Sequence, residues 1–175
     1  MHRMVLLLAA CVATSTDLRA QDAAHAQYFR AVASYFSLPA EEVAILSDWG
    51  IPADEIPVVL FVARRSGVSP EAVVALRESG QSWQALTTRF RVSPAALHVP
   101  LRDDAPAGAL DGAYSRFRST PVGSWNTLQL EDAEVIGLVN VRMISQFLDR
   151  SVEEVAAASG TTGSYVELLA GLRRR

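Results

Sequence analysis

The sequence predicts an all-α protein, and three observations support this fold class. Apolar residues recur at helical spacing along most of the chain, and no segment shows the sustained apolar–polar alternation of a half-buried strand. A unit of about 30 residues recurs, and its copies carry helix start signals. With 175 residues, 50% of them hydrophobic, the chain can bury one core but is too short for two large domains.

The repeat is clearest where residues 37–50 are set above residues 67–80. A further copy begins near Ser151, and a fourth breaks off after Leu97. Self-similarity of this kind is typical of stacked helical units that cover one another's apolar faces. The positions that match between the first two segments are Glu41 with Glu71, Val43 with Val73, Leu46 with Leu76 and Gly50 with Gly80.

Capping signals favour a short helix in each copy. The Ser69 hydroxyl suits a helix start, and Pro70 suits the first helical position because its missing N–H has no partner there. Ser151 and Glu154 have the spacing of a capping box. The glycines expected to end two of these helices in the positive-φ conformation are Gly50 and Gly80.

Longer helices are predicted between the short ones. Segment 56–63 is apolar on nearly every side, so we expect it to be central, with Pro57 in its first turn. About nine helices, long and short in alternation, would then pack as a small right-angled bundle or array. The segments predicted as longer helices are 28–36, 56–63, 82–90, 132–148 and 164–172.

One domain is expected over residues 21–175, with repeat units at about 25–97 and 131–175. Between them, prolines and glycines interrupt segment 98–130, which predicts an irregular loop with one turn of helix near 113–117. A connection of this length inside a compact domain is often functional.

The amino terminus predicts an export signal over residues 1–20. His2 and Arg3 precede a short apolar run, and the small residue Ala20 stands at the cleavage position. The run is shorter than the roughly 20 residues that span a bilayer, so we expect no transmembrane span. The signal predicts a periplasmic or secreted protein.

Three other interpretations of the amino terminus stay open. Residues 24–26 fit a small-x-small cleavage site, but they lie far from the apolar run. Residues 8–11 resemble a lipobox, which would place a lipid on Cys11 and tether the protein to a membrane surface. A cytosolic protein with a frayed apolar start is the third. Cleavage after Ala20 removes the single cysteine, which excludes disulfides and cysteine chemistry from the mature chain.

Composition and motifs exclude several function classes. All 16 basic residues are arginine, which excludes Schiff-base and P-loop lysines, and no nucleotide, zinc-protease or nucleophile-elbow motif is present. We therefore expect no cofactor. The unit around Ser69 resembles the first part of a helix-turn-helix, but the net charge of −3 and the export signal disfavour nucleic acid as a partner. DNA binding stays an alternative only for a chain that is not exported.

His98 is the candidate for chemistry. It opens the predicted loop with Asp103 and Asp104 close behind, so the three could form a metal or acid–base site of a small hydrolase or metal-dependent enzyme. One histidine with scattered carboxylates is weak ligand spacing. The favoured interpretation is that the acids are solvated turn residues and that His98 packs beside the aborted short helix.

Aromatic residues in the predicted loop are the candidate contact group. Trp83 and Tyr165 share a repeat position, so we expect them to be packing residues. The loop aromatics lie outside the repeat, and exposed aromatics are what a partner-binding surface would use. This predicted contact group consists of Tyr114, Phe117 and Trp125.

Two motifs carry a resemblance to other proteins. Val-Ser-Pro-Glu-x-Val-x-x-Leu-Arg-x-x-Gly at 68–80 and Leu-Val-Asn-Val-Arg at 138–142 are similar to segments of small helical-repeat proteins that bacteria export. The likeness covers most of 28–172 and implies no activity. Together the observations favour a non-catalytic protein-binding or scaffolding module whose partner is another envelope protein.

Overall fold

The structure, a computed structural model, describes the backbone of residues 3–174 and the side chains of 18–39 and 41–174. All regular structure in residues 3–174 is helical, which confirms the all-α class. Three 3-10 helices, Ala53–Glu55, Gly108–Leu110 and Val122–Thr127, join the α-helices. The α-helices are α1 (Arg3–Phe36), α2 (Ala40–Ser47), α3 (Ile56–Ser66), α4 (Pro70–Glu78), α5 (Trp83–Arg89), α6 (Pro94–Leu97), α7 (Asp111–Ser119), α8 (Asp132–Leu148), α9 (Val152–Ser159) and α10 (Tyr165–Arg173).

Helices α3 and α8 form the centre of the molecule. Every residue of α3 from Ile56 to Ala63 is buried, so its predicted central position and the place of Pro57 in its first turn are confirmed. Helix α8 packs against α3, α1 and α9 and buries an apolar face of Val135, Leu138, Val139, Met143 and Ile144. The core is one continuous cluster, as stacked helices require when no single helix is stable alone.

The predicted start and stop signals are confirmed at several helices. The Ser69 hydroxyl accepts from the Ala72 amide, and the Ser151 hydroxyl accepts from the Glu154 amide. The capping box predicted at Ser151 forms only in this half, because the Glu154 side chain pairs with Arg150. Gly50 and Gly80 have φ values of 73° and 89°, the conformation in which glycine ends a helix without a steric penalty.

The repeat and the alternation of long and short helices stay predictions. In the middle of the chain, helices α3, α4, α5 and α6 contain 11, 9, 7 and 4 residues, so their lengths fall steadily there. The capping residues of the repeated unit are therefore better predicted than the helix lengths between them.

A buried hydrogen-bond network ties α1 to α8 and α10. The Tyr28 hydroxyl donates to Asn140 Oδ1, and Asn140 Nδ2 donates to the carbonyl oxygens of Asp54 at 2.8 Å and Ile136 at 2.9 Å. The Asp54 carboxylate in turn accepts from the Tyr165 amide at 3.1 and 3.2 Å. Each of these polar groups has a partner, so the network fixes the register of these helices, although burial still disfavours the charged form of Asp54.

A second network holds α4 and α5 against α8. Arg77 donates to both oxygens of Glu55, at 2.7 and 2.9 Å, and to Asp132 at 3.0 Å. The Trp83 indole N–H donates to Glu55 at 3.0 Å, and its ring is fully buried, which confirms Trp83 as a packing residue. Tyr165 is partly buried against the same continuous core.

Segment 98–130 is more ordered than the sequence predicts. It contains the nine-residue helix α7 and two 3-10 helices. The prediction of an irregular loop with a single helical turn is therefore wrong for this segment. Helix α7 forms there because Ala113, Tyr114 and Phe117 have helical spacing and are all buried in the core.

The predicted cleavage position at Ala20 falls inside α1, which continues through the predicted signal to Phe36. Residues 1 and 2 and the side chain of Cys11 lie outside the described part of the chain. Lipidation of Cys11 therefore stays a prediction. Among the described helices, none combines the length and the apolar character that crossing a membrane requires.

Candidate functional site

Four rings from three segments meet beside α7, and we call them the aromatic cluster. Tyr114 and Phe117 come from α7, His98 follows α6, and Trp125 lies in the 3-10 helix Val122–Thr127. The His98 centroid lies 4.2 Å from that of Trp125 and 4.8 Å from that of Phe117. The Phe117 and Trp125 centroids are 5.1 Å apart in an edge-on arrangement, which is favourable for aromatic pairs.

Hydrogen bonds to backbone carbonyls fix the orientation of two of these rings, and the rings of His98 and Phe117 pack against them. The Tyr114 hydroxyl donates to the Val99 carbonyl at 2.5 Å. The Trp125 indole N–H donates to the carbonyls of Phe117 and Thr120, both at 3.0 Å, and so satisfies groups at the end of α7 that have no helical partner. The cluster is therefore held in one geometry before anything binds.

A cleft of about 540 Å³ opens beside the aromatic cluster. Val122 stands at its edge with 71% of its surface exposed, the largest exposed fraction among the big apolar side chains of the described chain. Asp103 and Arg118 add one negative and one positive group to the lining. Besides Val122 and the rings, the apolar lining residues are Pro100, Leu101 and Pro121.

His98 lies between the other three rings of the aromatic cluster and Arg142. Arg142 Nη2 donates to the carbonyls of Ala96, Leu97 and His98 at 3.2, 3.1 and 2.7 Å, which ends α6 on a positive charge. Burial, and then the Arg142 charge, lower the pKa of His98 below its usual 6.5. The imidazole is therefore neutral at pH 7 and presents an uncharged ring to the cleft.

The prediction that Tyr114 and Phe117 are exposed is wrong. Their exposed fractions are 1% and 2%, because α7 turns both rings into the core. Of the predicted contact group, Trp125 alone is partly exposed. The two buried rings thus form the floor of the cleft, and the accessible surface belongs to Trp125, His98 and Val122.

The structure does not bring His98, Asp103 and Asp104 together as a set of metal ligands. Within the described residues, no group of three or more His, Cys, Asp or Glu side chains is placed to hold a metal ion. Asp103 and Asp104 are exposed, whereas His98 is surrounded by rings, as the packing interpretation expects.

Two features of this surface do not follow from the sequence. The sequence identifies His98 as a candidate ligand or packing residue but does not predict its contact with Trp125. The second feature is the exposure of Val122, for which the available sequence signal is an apolar residue between Pro121 and Gly123 in a non-repeated segment. The ring contacts depend on the path of the chain between 99 and 124, which residue spacing does not encode.

Comparison of the chain with protein-family models, with curated proteins and with solved structures finds no match.

Proposed function

We propose that this is an exported, non-catalytic helical protein that binds a segment of another envelope protein in the cleft beside the aromatic cluster. The observation that carries the proposal is the exposed Val122 next to the half-buried rings of His98 and Trp125, around a cleft of about 540 Å³. An apolar side chain of the partner would occupy this cleft.

Rigidity of the cleft supports this proposal. Tyr114 and Phe117 are packed in the core and Trp125 is held by two hydrogen bonds, so few side-chain conformations are lost on binding. Anchors of this kind, aromatic and well packed, dominate the energetics of protein interfaces. Asp103 and Arg118 would supply the polar rim that orients the partner segment.

Export is supported by the place where the described core begins. Side chains 18–23 are exposed, and the first fully buried residue is Tyr28. Removal of residues 1–20 therefore takes no described core residue from the fold.

The intact mass of the protein from its native host tests export. We expect a chain that begins at Gln21. A lipid adduct on Cys11 would instead indicate a membrane-tethered module, and an uncleaved chain would contradict export and favour the DNA-binding alternative.

A photo-crosslinking amino acid at position 122, expressed in the native host, tests the cleft. We expect one defined protein adduct at 122 and none at position 45, because Ile45 is 54% exposed but lies on α2, away from the cleft. Absence of an adduct at 122, or the same adducts at both positions, would contradict the proposal.

Two matched variants then measure the contribution of the cleft. Val122→Glu places a charge at the cleft edge and should lower partner capture about tenfold, whereas Ile45→Glu makes the same exchange elsewhere and should leave capture unchanged. Both side chains are exposed, so both variants should keep the thermal unfolding temperature of the parent.

A further inference from the structure

A second cleft, of about 440 Å³, lies between α1, α3 and α8. Three aromatic residues, three arginines and one glutamine line it, and the lining includes no acidic residue. The arginines come from distant parts of the sequence: Arg64 and Arg65 lie in the last turn of α3, and Arg142 lies in α8. The sequence presents Arg64 and Arg65 as an isolated pair, and only the fold adds the third cation.

Aromatic rings hold the three guanidinium groups in place. The Arg64 guanidinium carbon lies 5.7 Å from the centroid of the Phe36 ring. Those of Arg65 and Arg142 lie 5.4 and 5.2 Å from the centroid of the same ring, Phe61. Contacts of this kind between cations and rings are favourable, and they place two positive charges beside one buried ring.

These charges have no acidic partner in the described part of the chain. Among residues 18–39 and 41–174, the arginines that form ion pairs are Arg77, Arg102, Arg116 and Arg150. The chain has a net charge of −3, so three unpaired cations around one cleft are a local excess against the overall balance. Their mutual repulsion favours an anion between them.

Most of the hydrogen-bond donors in this cleft are not used within the described residues. Arg64 donates through Nη2 to the Phe36 carbonyl at 3.0 Å, and Arg142 donates through Nη2 to the carbonyls at the end of α6. A guanidinium carries five N–H donors. The remaining donors of these two groups, and all those of Arg65, have no acceptor among the described side chains and backbone.

We propose that this cleft binds a phosphate group. Guanidinium groups pair with phosphate through two parallel hydrogen bonds, and a phosphate monoester, which is doubly charged and has three strong acceptor oxygens, can serve three of them. A carboxylate has two oxygens and one charge, which suits a single arginine. The proposal goes beyond partner binding at the aromatic cluster and shares only Arg142 with that site.

The phosphate can come from a soluble compound or from a lipid headgroup, and two probes separate these sources. Inorganic phosphate is titrated into the full chain by calorimetry at low ionic strength. Vesicles of phosphatidic acid in phosphatidylcholine, which present a phosphate monoester at the surface, are tested by co-sedimentation. Any vesicle binding by the apolar amino terminus is common to all variants, so only differences between variants are interpreted.

The decisive variant is Arg64→Gln combined with Arg65→Gln, which should weaken binding of the probe at least tenfold. The control, Arg30→Gln with Arg89→Gln, removes the same charge from exposed positions outside the cleft and should change affinity less than twofold. Arg65→Gln alone is the variant least expected to disturb the fold, because Arg65 donates to no described residue. It should weaken binding several-fold.

Each outcome decides the proposal. Phosphate binding that the decisive variant loses and the control keeps supports the site with a soluble source. The same pattern with vesicles alone supports it with a lipid source. No binding of either probe, or equal loss in both double variants, overturns it.

Discussion

Gly108 is a position where the fold admits no side chain. Its φ is +58°, and a Cβ there would overlap the Ala156 carbonyl oxygen and lie 3.0 Å from the Gly160 amide nitrogen. Both of these atoms belong to the backbone and cannot move aside as a flexible side chain could, and the Ser159 hydroxyl oxygen lies 3.0 Å from the same Cβ position. We expect Gly108→Ala to lower the free energy of unfolding by about 3 kcal/mol or more, measured by urea denaturation, because the strained φ and the overlap act together.

Gly67→Ala separates the two causes. Gly67 has a φ of +76° with nothing within 4 Å of a Cβ, so only backbone strain acts there. A loss of about 1–2 kcal/mol is expected at this position. Equal losses for the two alanine variants would mean that the close approach between Gly108 and α9 does not contribute.

At the scale of elements, α10 begins on a carboxylate from a distant segment. Asp54 accepts from the Tyr165 amide at the first turn of α10. Burial raises the pKa of Asp54 above its usual 3.8, and the bonds from the Tyr165 and Val166 amides oppose this shift only in part.

The pKa shift of Asp54 predicts a pH dependence of stability. The native carboxyl keeps its proton at pH values where the unfolded carboxyl has lost it, so this group costs stability as pH rises from 3.8 through its raised pKa. Asp54→Asn is neutral throughout and still offers an oxygen to α10. Its free energy of unfolding relative to the parent should therefore increase from about pH 3 to pH 7, in urea titrations. A difference that stays flat or falls would contradict this.

The sequence predicts the starts of serine-capped helices best, and among the helices it predicts α7 least well. Serine caps such as Ser69 and Ser151 act through bonds to amides three residues away, so local sequence suffices. Helix α7 lacks a side-chain cap, and its first residue, Asp111, follows a 3-10 helix. The prolines and glycines around α7 predict a loop. The burial that stabilises this helix comes from tertiary contacts, which local sequence does not show.

The two proposed sites show the same limit at the scale of the molecule. Trp125 could be chosen from sequence because it lies outside the repeat. Its contact with His98, and the meeting of Arg65 with Arg142, depend on how distant helices pack. Residue type and local spacing therefore predict candidates for a site, and the fold decides which of them face one another.

For the whole molecule, the position of Tyr28 predicts where the stable domain begins. Tyr28 is fully buried and bonded to Asn140, whereas side chains 18–23 are exposed. A chain that begins at Gln21 should match the full chain in free energy of unfolding within about 0.5 kcal/mol, measured by urea denaturation.

Tyr28→Ala in the chain that begins at Gln21 is the contrast for this truncation. It removes a buried ring and the hydroxyl partner of Asn140, so we expect a loss of about 3–5 kcal/mol. If truncation alone costs as much as Tyr28→Ala, then the first 20 residues stabilise the fold and their interpretation as a removable signal is wrong. If the truncated chain keeps its stability and only Tyr28→Ala loses it, the fold is complete without the segment that export would remove.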